Sequence, residues 1–60
     1  MTIFTDPSAA VDEAQYLAAL SGEPFSVVRT DSGMQVIRYT QACRYNREIL
    51  ETVNPSKGAA

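Results

Sequence analysis

The stretch Phe25–Thr40, FSVVRTDSGMQVIRYT, decides the fold because it is typical of two short strands joined by a tight turn. Gly33 can adopt the left-handed backbone conformation without steric cost, and the Asp-Ser pair before it suits the centre of a type I turn. This pattern predicts a hairpin over residues 25–40 with a three-residue loop at 31–33. Thr30 would then lie opposite Met34.

This register sorts the hairpin side chains into two faces, since successive side chains of a strand point to opposite sides. One face is predicted to form the core and contains Phe25, Val27, Ile37 and Tyr39. The second face is more apolar than a solvated surface requires, and contiguous apolar surface often marks an interface. We therefore predict that it contacts a partner, through Val28, Met34 and Val36 with Arg38 at the edge. The alternative is that these are scattered apolar residues of an ordinary surface.

The segment before the hairpin predicts a helix over residues 7–21. Asp6 is a favourable N-cap, and Pro7 suits the first helical position. Gly22 is a typical C-terminal stop. The preceding arm, residues 1–6, is expected to pack back on the domain, with insertion into a neighbouring subunit as the alternative.

The segment after the hairpin changes from a period of two to a period of 3.6 residues. Apolar side chains recur at helical spacing at Ala42, Tyr45, Ile49 and Val53. The pattern predicts a second helix over 41–53, capped by Thr40 and ended by Asn54-Pro55. Residues 54–60 are expected to be a flexible tail.

These elements predict a single α+β domain over residues 1–60, in which two antiparallel helices pack on one two-stranded antiparallel β-hairpin. The element order is helix, hairpin, helix. A bare hairpin is unstable in water, so the helices are required to cover it. A domain of this size buries only about 60% of its unfolded surface, so assembly with other subunits would add needed stability.

Composition argues against several classes of function. The chain has 60 residues, a net charge of −2, one cysteine and no histidine. An acidic balance is unsuited to nucleic acid, an intrachain disulfide is impossible, and a zinc cluster lacks ligands. We find no catalytic residues and expect neither an enzyme nor a cofactor, and Cys43 is interpreted as a small hydrophobic residue. The sequence has no signal peptide and no apolar run long enough to span a membrane, so a soluble intracellular protein is expected.

The charges are unevenly distributed along the chain. Residues 1–31 carry five acidic side chains against one arginine, whereas residues 32–60 carry four basic side chains against two glutamates. Such a split can orient a protein between two unlike partners, although it is also common in proteins without such a role.

Together, the alanine-rich helix, the Leu20-Ser21-Gly22 stop, the Asp31-x-Gly33 turn and the Val36–Thr40 strand resemble a known family over roughly residues 10–53. They are similar to the W-type head-to-tail joining proteins, or head completion proteins, of tailed bacteriophages. That family has chains of similar length with two antiparallel helices packed on one hairpin.

The resemblance implies a structural protein of the virion neck, assembled in the host cytoplasm. Its copies would form a homo-oligomeric ring, a dodecamer, beneath the portal protein, and would offer a surface to the next connector or tail protein. The resemblance implies no catalysis, no membrane and no specific nucleic acid. The predicted partner interface consists of Ile3, Phe4, Val28, Met34, Val36, Arg38 and Lys57. The alternative function is a small intracellular regulator, an inhibitor or antitoxin-like protein, that binds another protein through the same sheet face.

Overall fold

The computed structural model describes residues 3–55 of the chain. Its elements follow the order α1, β1, β2, α2, β3. Their bounds are Pro7–Ser21 for α1, Phe25–Thr30 for β1, Gly33–Arg38 for β2, Tyr39–Arg44 for α2 and Ile49–Val53 for β3. The three strands form one antiparallel sheet with the spatial order β2-β1-β3. The α+β class is confirmed, whereas the prediction of a two-stranded sheet is wrong.

Helix α1 occupies the predicted range because both of its ends are capped as the sequence indicates. The Asp6 side chain accepts a hydrogen bond from the backbone N–H of Ser8 at 3.3 Å, and proline occupies the first turn. At the other end, Gly22 adopts a left-handed conformation (φ 74°), and its N–H donates to the carbonyl of Ala18 at 2.8 Å. These contacts satisfy backbone groups that helix ends leave unpaired.

The inner face of α1 is made of alanines spaced four residues apart. Ala10, Ala14 and Ala18 are fully buried and form the main core with Phe25 and Val27 of β1. Residues at this spacing lie on one side of a helix, and their small side chains let the helix approach the sheet closely.

The hairpin has a different register from the predicted one. Thr30 pairs with Gly33, so the turn contains only Asp31 and Ser32. The Thr30 hydroxyl accepts hydrogen bonds from the backbone N–H groups of Ser32 and Gly33, at 3.2 and 3.1 Å, and this closes the turn one residue early. Gly33 therefore belongs to β2 and not to the loop.

This single-residue shift moves the β2 side chains to the opposite face relative to β1. Val36 pairs with Val27, and both Met34 and Val36 pack against the core beneath α1. Ile37 lies on the other face, opposite Ser26, and Tyr39 leaves the sheet to begin α2. The predicted core face of Phe25, Val27, Ile37 and Tyr39 is thus correct only for its two β1 residues.

The predicted second helix over 41–53 is also wrong, because α2 ends at Arg44. Asn46 takes a left-handed conformation (φ 52°), and its N–H donates to the carbonyl of Cys43 at 3.3 Å. The N–H of Arg47 donates to the carbonyl of Ala42 at 2.9 Å. This hydrogen-bond pair is the Schellman pattern that stops helices, with asparagine in place of the usual glycine. The predicted cap residue, Thr40, lies inside α2, because that helix begins at Tyr39.

Beyond this stop, residues 49–53 form strand β3 along the free side of β1. Phe25 pairs with Val53, Ser26 with Thr52, and Val27 with Glu51. The segment is rich in β-branched side chains, which favour strands, and β1 would otherwise leave a row of backbone groups unpaired. Of the predicted tail, residues 54 and 55 follow β3 directly, and residues 56–60 lie outside the described range.

The two helices cover opposite faces of the sheet. Val27 faces α1, so the neighbouring side chains of Ser26 and Val28 point to the opposite face of the sheet. Both are nevertheless fully buried. Helix α2 contacts β1 and β2, and its Ala42 is fully buried outside the α1 core. The domain therefore has a layer order of α1, sheet, α2.

Candidate functional site

The outer edge of β3 is the most distinctive surface of the domain. Strand β3 pairs with β1 on one side, and within residues 3–55 no other strand pairs with its second side. Sheet edges are available for pairing with another chain unless the protein covers or interrupts them. We define this edge, residues 49–53, as the β3 edge.

The direction of the backbone groups along the β3 edge follows from one hydrogen bond and from the pairing register. The N–H of Arg29 donates to the carbonyl of Glu48 at 3.0 Å, so the Arg29 backbone groups point toward β3. Groups alternate along a strand, and the pair Ser26–Thr52 is therefore a non-hydrogen-bonded pair between β1 and β3. The N–H and C=O of Thr52 consequently point away from the sheet, toward an additional strand.

The side chains at the start of the β3 edge are apolar and accessible. Ile49 is 36% exposed and Leu50 is 42% exposed. The register shifts between Val27 and Val28, which makes Leu50 the extra residue of a β-bulge. Bulges re-aim side chains at sheet edges and often occur beside binding sites.

A partly buried hydroxyl contact joins the β3 edge to β1. Ser26 is fully buried, and its hydroxyl lies 3.0 Å from the hydroxyl of Thr52. In the described part of the chain, no buried side-chain polar atom lacks a hydrogen-bond partner. The Ser26–Thr52 contact therefore specifies the pairing register of β3 without leaving an unsatisfied group in the interior.

The opposite edge of the sheet is closed by the N-terminal arm. Phe4 bridges to Met34 through two backbone hydrogen bonds, from the N–H of Phe4 at 2.7 Å and from the N–H of Met34 at 2.8 Å. The Phe4 side chain also packs against the core. Packing back of the arm is thus confirmed at Phe4, and Ile3 beside it is 40% exposed.

Gly33 is required where the arm crosses β2. A Cβ atom at Gly33 would lie 2.5 Å from the carbonyl oxygen of Phe4 and 3.1 Å from Cγ2 of Ile3. The φ angle of Gly33 is 152°, which side-chain-bearing residues rarely adopt. Glycine thus permits a close backbone approach here, and it does not form the left-handed loop position predicted from the sequence.

The surface predicted from Val28, Met34 and Val36 is not formed as one face. Val28 is fully buried on the α2 side, whereas Met34 and Val36 are half-buried on the α1 side. The one-residue register shift accounts for this separation. The exposed apolar residues that the prediction missed are on the helices and on β3.

The remaining predicted interface residues have separate environments. Arg38 stacks over the Phe25 ring, with Cζ 6.0 Å from the ring centroid, and its Nε lies 3.3 Å from Oε1 of Glu23. Both partners of this ion pair are about half exposed, so its stabilising effect is small. Lys57 lies outside the described residues.

A shallow cleft of about 480 Å³ lies beside the hairpin turn. Its lining combines the apolar side chains of Met34 and Leu50 with the charged side chains of Arg29 and Asp31. Nε of Arg29 lies 3.3 Å from Oε2 of Glu48. Because small-molecule sites usually enclose most of their ligand, this open cleft is better suited to contact with a protein surface.

Tyr39, on α2, has a perturbed pKa. The pKa of Tyr39 is raised above its ordinary value, chiefly because its hydroxyl hydrogen-bonds to the Cys43 side chain. The charge of a deprotonated Cys43 and slight desolvation act in the same direction. Cys43 is exposed, whereas a small hydrophobic residue at this position was expected to be buried or half-buried.

Over residues 3–55, no three histidine, cysteine or acidic side chains converge to hold a metal ion. Neither helix in that range is long and apolar enough to cross a membrane.

The β3 edge was missed because its sequence also fits a helix. Ile49 and Val53 are four residues apart, as on one helical face, and the predicted helix over 41–53 includes Asn46 in its interior. Asparagine tolerates the left-handed conformation better than most residues, and the β-branched run after it favours a strand. These two signals together could have predicted the stop and the strand.

Comparison with protein-family models, with curated proteins and with solved structures finds no match to this chain. The geometry of the domain and the resemblance of residues 10–53 to the W-type proteins are therefore the two sources of a functional proposal.

Proposed function

We propose that this chain is a structural protein that acts by assembling with other protein subunits, and that its partner adds a strand to the β3 edge. The observation that carries this proposal is the outward-facing backbone of Thr52 beside the exposed side chains of Ile49 and Leu50. Strand addition uses main-chain hydrogen bonds for affinity and neighbouring side chains for specificity.

The specific assembly that we propose is the head-tail connector of a tailed bacteriophage. The chain would form the head completion ring between the portal protein and the next connector or tail protein, in the neck of the virion. Support comes from the sequence resemblance and from the order of α1, β1 and β2, a helix followed by a hairpin, although β2 ends at Arg38 and not at Thr40. The third strand is a departure, because the family has a long helix in that position.

The small size of the domain also favours assembly. With 60 residues, its lone core is marginal, and the largest fully buried side chains are only Val27, Val28 and Ser26. Contacts with several subunits would add stability, and many weak contacts in a ring can act together.

The test is co-sedimentation of the purified chain with portal rings encoded in the same genome. We expect the native chain to sediment with the rings. Thr52→Pro should abolish this, because proline removes the outward N–H, while edge strands tolerate proline. The matched control is Thr52→Val, which loses the same hydroxyl but keeps the N–H and should still bind. Circular dichroism of both variants checks that the domain remains folded.

Each part of the proposal has its own contradicting result. Equal binding by Thr52→Pro and the native chain would exclude the β3 edge as the contact. Failure of the native chain to bind any portal or connector ring would exclude the connector function. Neighbouring genes encoding portal, terminase and tail proteins would support the connector over the intracellular regulator, and a different gene neighbourhood would argue against it.

A further inference from the structure

Charge is segregated between the two helices and hence between the two faces of the sheet. Helix α1 contains Asp12 and Glu13 and no basic residue, whereas α2 contains Arg44 and no acidic residue. The segment between α2 and β3 adds Arg47, and its Glu48 is paired with Arg29. The ion pairs found within residues 3–55 join Arg29 with Glu48 and Arg38 with Glu23. The charges on the two helices are therefore not compensated by ion pairs in the described part of the chain.

Exposed apolar side chains accompany both sets of charges. On α1, Asp12, Tyr16 and Leu20 are spaced four residues apart and thus form one row along the helix. Tyr16 is 62% exposed and Leu20 is 70% exposed, although both are large. At the end of α2, Tyr45 is 63% exposed beside Arg44. We define the α1 stripe as Asp12, Glu13, Tyr16 and Leu20, and the α2 end as Arg44, Tyr45 and Arg47.

We propose that the α1 stripe of one copy docks on the α2 end of a second copy. The acidic and apolar groups of the stripe are complementary to the basic and aromatic groups of the α2 end. Two α1 stripes would bring like charges together, as would two α2 ends, so unlike surfaces are favoured. This inference rests on the proposed function, because it names a second copy of the chain as one of the partner subunits.

The arrangement of the two surfaces determines the kind of assembly. The α1 stripe and the α2 end lie on opposite sides of the sheet, so the two surfaces of a single copy cannot contact each other. A contact between unlike surfaces repeats from copy to copy and gives a ring or a filament, depending on the rotation at each step. The apolar side chains supply most of the affinity, whereas the charges select the partner surface and the orientation.

The test uses two charge-reversed variants of the purified chain, alone and mixed. One variant carries Asp12→Lys and Glu13→Lys, and the other carries Arg44→Glu and Arg47→Glu. Sedimentation velocity should show concentration-dependent association of the native chain that weakens at high salt. Each variant alone should have a dissociation constant raised by about tenfold or more. An equimolar mixture should associate again, because each reversed surface then meets an opposite charge.

Recovery on mixing cannot arise from misfolded variants, and circular dichroism of each variant provides an additional check. Gln15→Lys, on the exposed surface of α1 outside the stripe, is the matched control and should leave association unchanged. A native chain that stays monomeric at all concentrations, or variants that fail to recover on mixing, would overturn the proposal. These measurements use the chain without portal protein, so their outcome is independent of the test of the connector function.

Discussion

The two edges of the sheet differ in whether another segment of the chain pairs with them. At the β2 edge, both backbone groups of Met34 are bonded to Phe4 of the N-terminal arm. At the β3 edge, the outward groups of Thr52 have no strand beside them within residues 3–55. Natural proteins usually protect sheet edges against unwanted pairing. The N-terminal arm thus closes the β2 edge, whereas the β3 edge stays open to the partner strand that we propose.

Closure of the β2 edge depends on a close backbone approach. The carbonyl of Phe4 lies over Gly33, in space that any side chain would occupy. Each of the two bridging hydrogen bonds contributes about 1 kcal/mol, and the packed Phe4 side chain adds apolar burial. Loss of this glycine should therefore convert the closed edge into an open one.

The largest expected effect is that of Gly33→Ala. The variant should lose about 3 kcal/mol of unfolding free energy, from backbone strain and from both hydrogen bonds of the Phe4–Met34 bridge. Urea unfolding measures the loss, and amide hydrogen exchange at Met34 reports whether the arm has detached. Unchanged exchange at Met34 would contradict the proposed role of Gly33 in closing this edge.

Gly22→Ala is the matched control for this comparison. Gly22 also has a positive φ, 74°, but a Cβ atom there would meet nothing within 4 Å. Only backbone strain is introduced, so the expected loss is about 1 kcal/mol, and Met34 should remain protected. The difference between the two alanine variants isolates the contribution of the arm.

The second prediction concerns how firmly β3 is held. Thr52→Val should lower the unfolding free energy by about 1–2 kcal/mol, because it leaves the buried hydroxyl of Ser26 without its partner. Adding Ser26→Ala should recover part of the loss, since no unsatisfied group then remains. Denaturant unfolding of the two single variants and the double variant gives the coupling energy. Strict additivity of the two changes would mean that the hydroxyl contact does not stabilise the β3 edge.

Local signals in the sequence predicted α1 but not the register of the hairpin. The helix is specified by Asp6 and Pro7 at one end, Gly22 at the other, and alanines at a spacing of four. The register depends instead on the Thr30 hydroxyl within the turn and on a distant backbone, that of Phe4, lying over β2. Contacts of this second kind are not visible in a local pattern, and a shift of one residue changed every predicted face of β2.

The candidate surfaces were predictable to a similarly limited extent. Segregation of charge between the two halves of the chain was evident from the sequence and carries through to the two helices. The apolar surface was predicted on the wrong residues, because Val28 was grouped with Met34 and Val36. Strand β3 could not be derived from periodicity, since the spacing of its apolar residues also fits a helix. The strand forms because β1 offers a free side with which it can pair.

The third prediction tests whether the stop after α2 makes the β3 edge possible. Asn46→Ala should cost about 1 kcal/mol, because alanine is disfavoured at a φ of 52°, whereas Asn46→Gly should be neutral or slightly stabilising. Thermal unfolding distinguishes the two variants. Equal stability of the alanine and glycine variants would indicate that the left-handed stop is not formed, and that the helix continues toward residue 53.

The smallest expected effect is a change in the pKa of Tyr39. Helix α2 places Tyr39 and Cys43 four residues apart, and the hydrogen bond between their side chains raises the pKa of the Tyr39 phenol. Cys43→Ala should therefore lower the pKa of Tyr39 toward its ordinary value. The change is followed by spectroscopic pH titration in a background with Tyr16→Phe and Tyr45→Phe, so that Tyr39 alone contributes.

Cys43→Ser separates the two main causes of the raised pKa, because serine can keep the hydrogen bond but carries no charge. The expected order of Tyr39 pKa values is alanine variant, serine variant, native chain, from lowest to highest. A raised pKa favours the protonated phenol in the folded state, so this contribution to stability is present below the unfolded pKa and is lost as pH rises through the folded value. The native chain should thus be more stable than the alanine variant at neutral pH, and this difference should shrink in alkaline solution. Identical titrations of all three proteins would show that the Tyr39 hydroxyl does not hydrogen-bond to the Cys43 side chain.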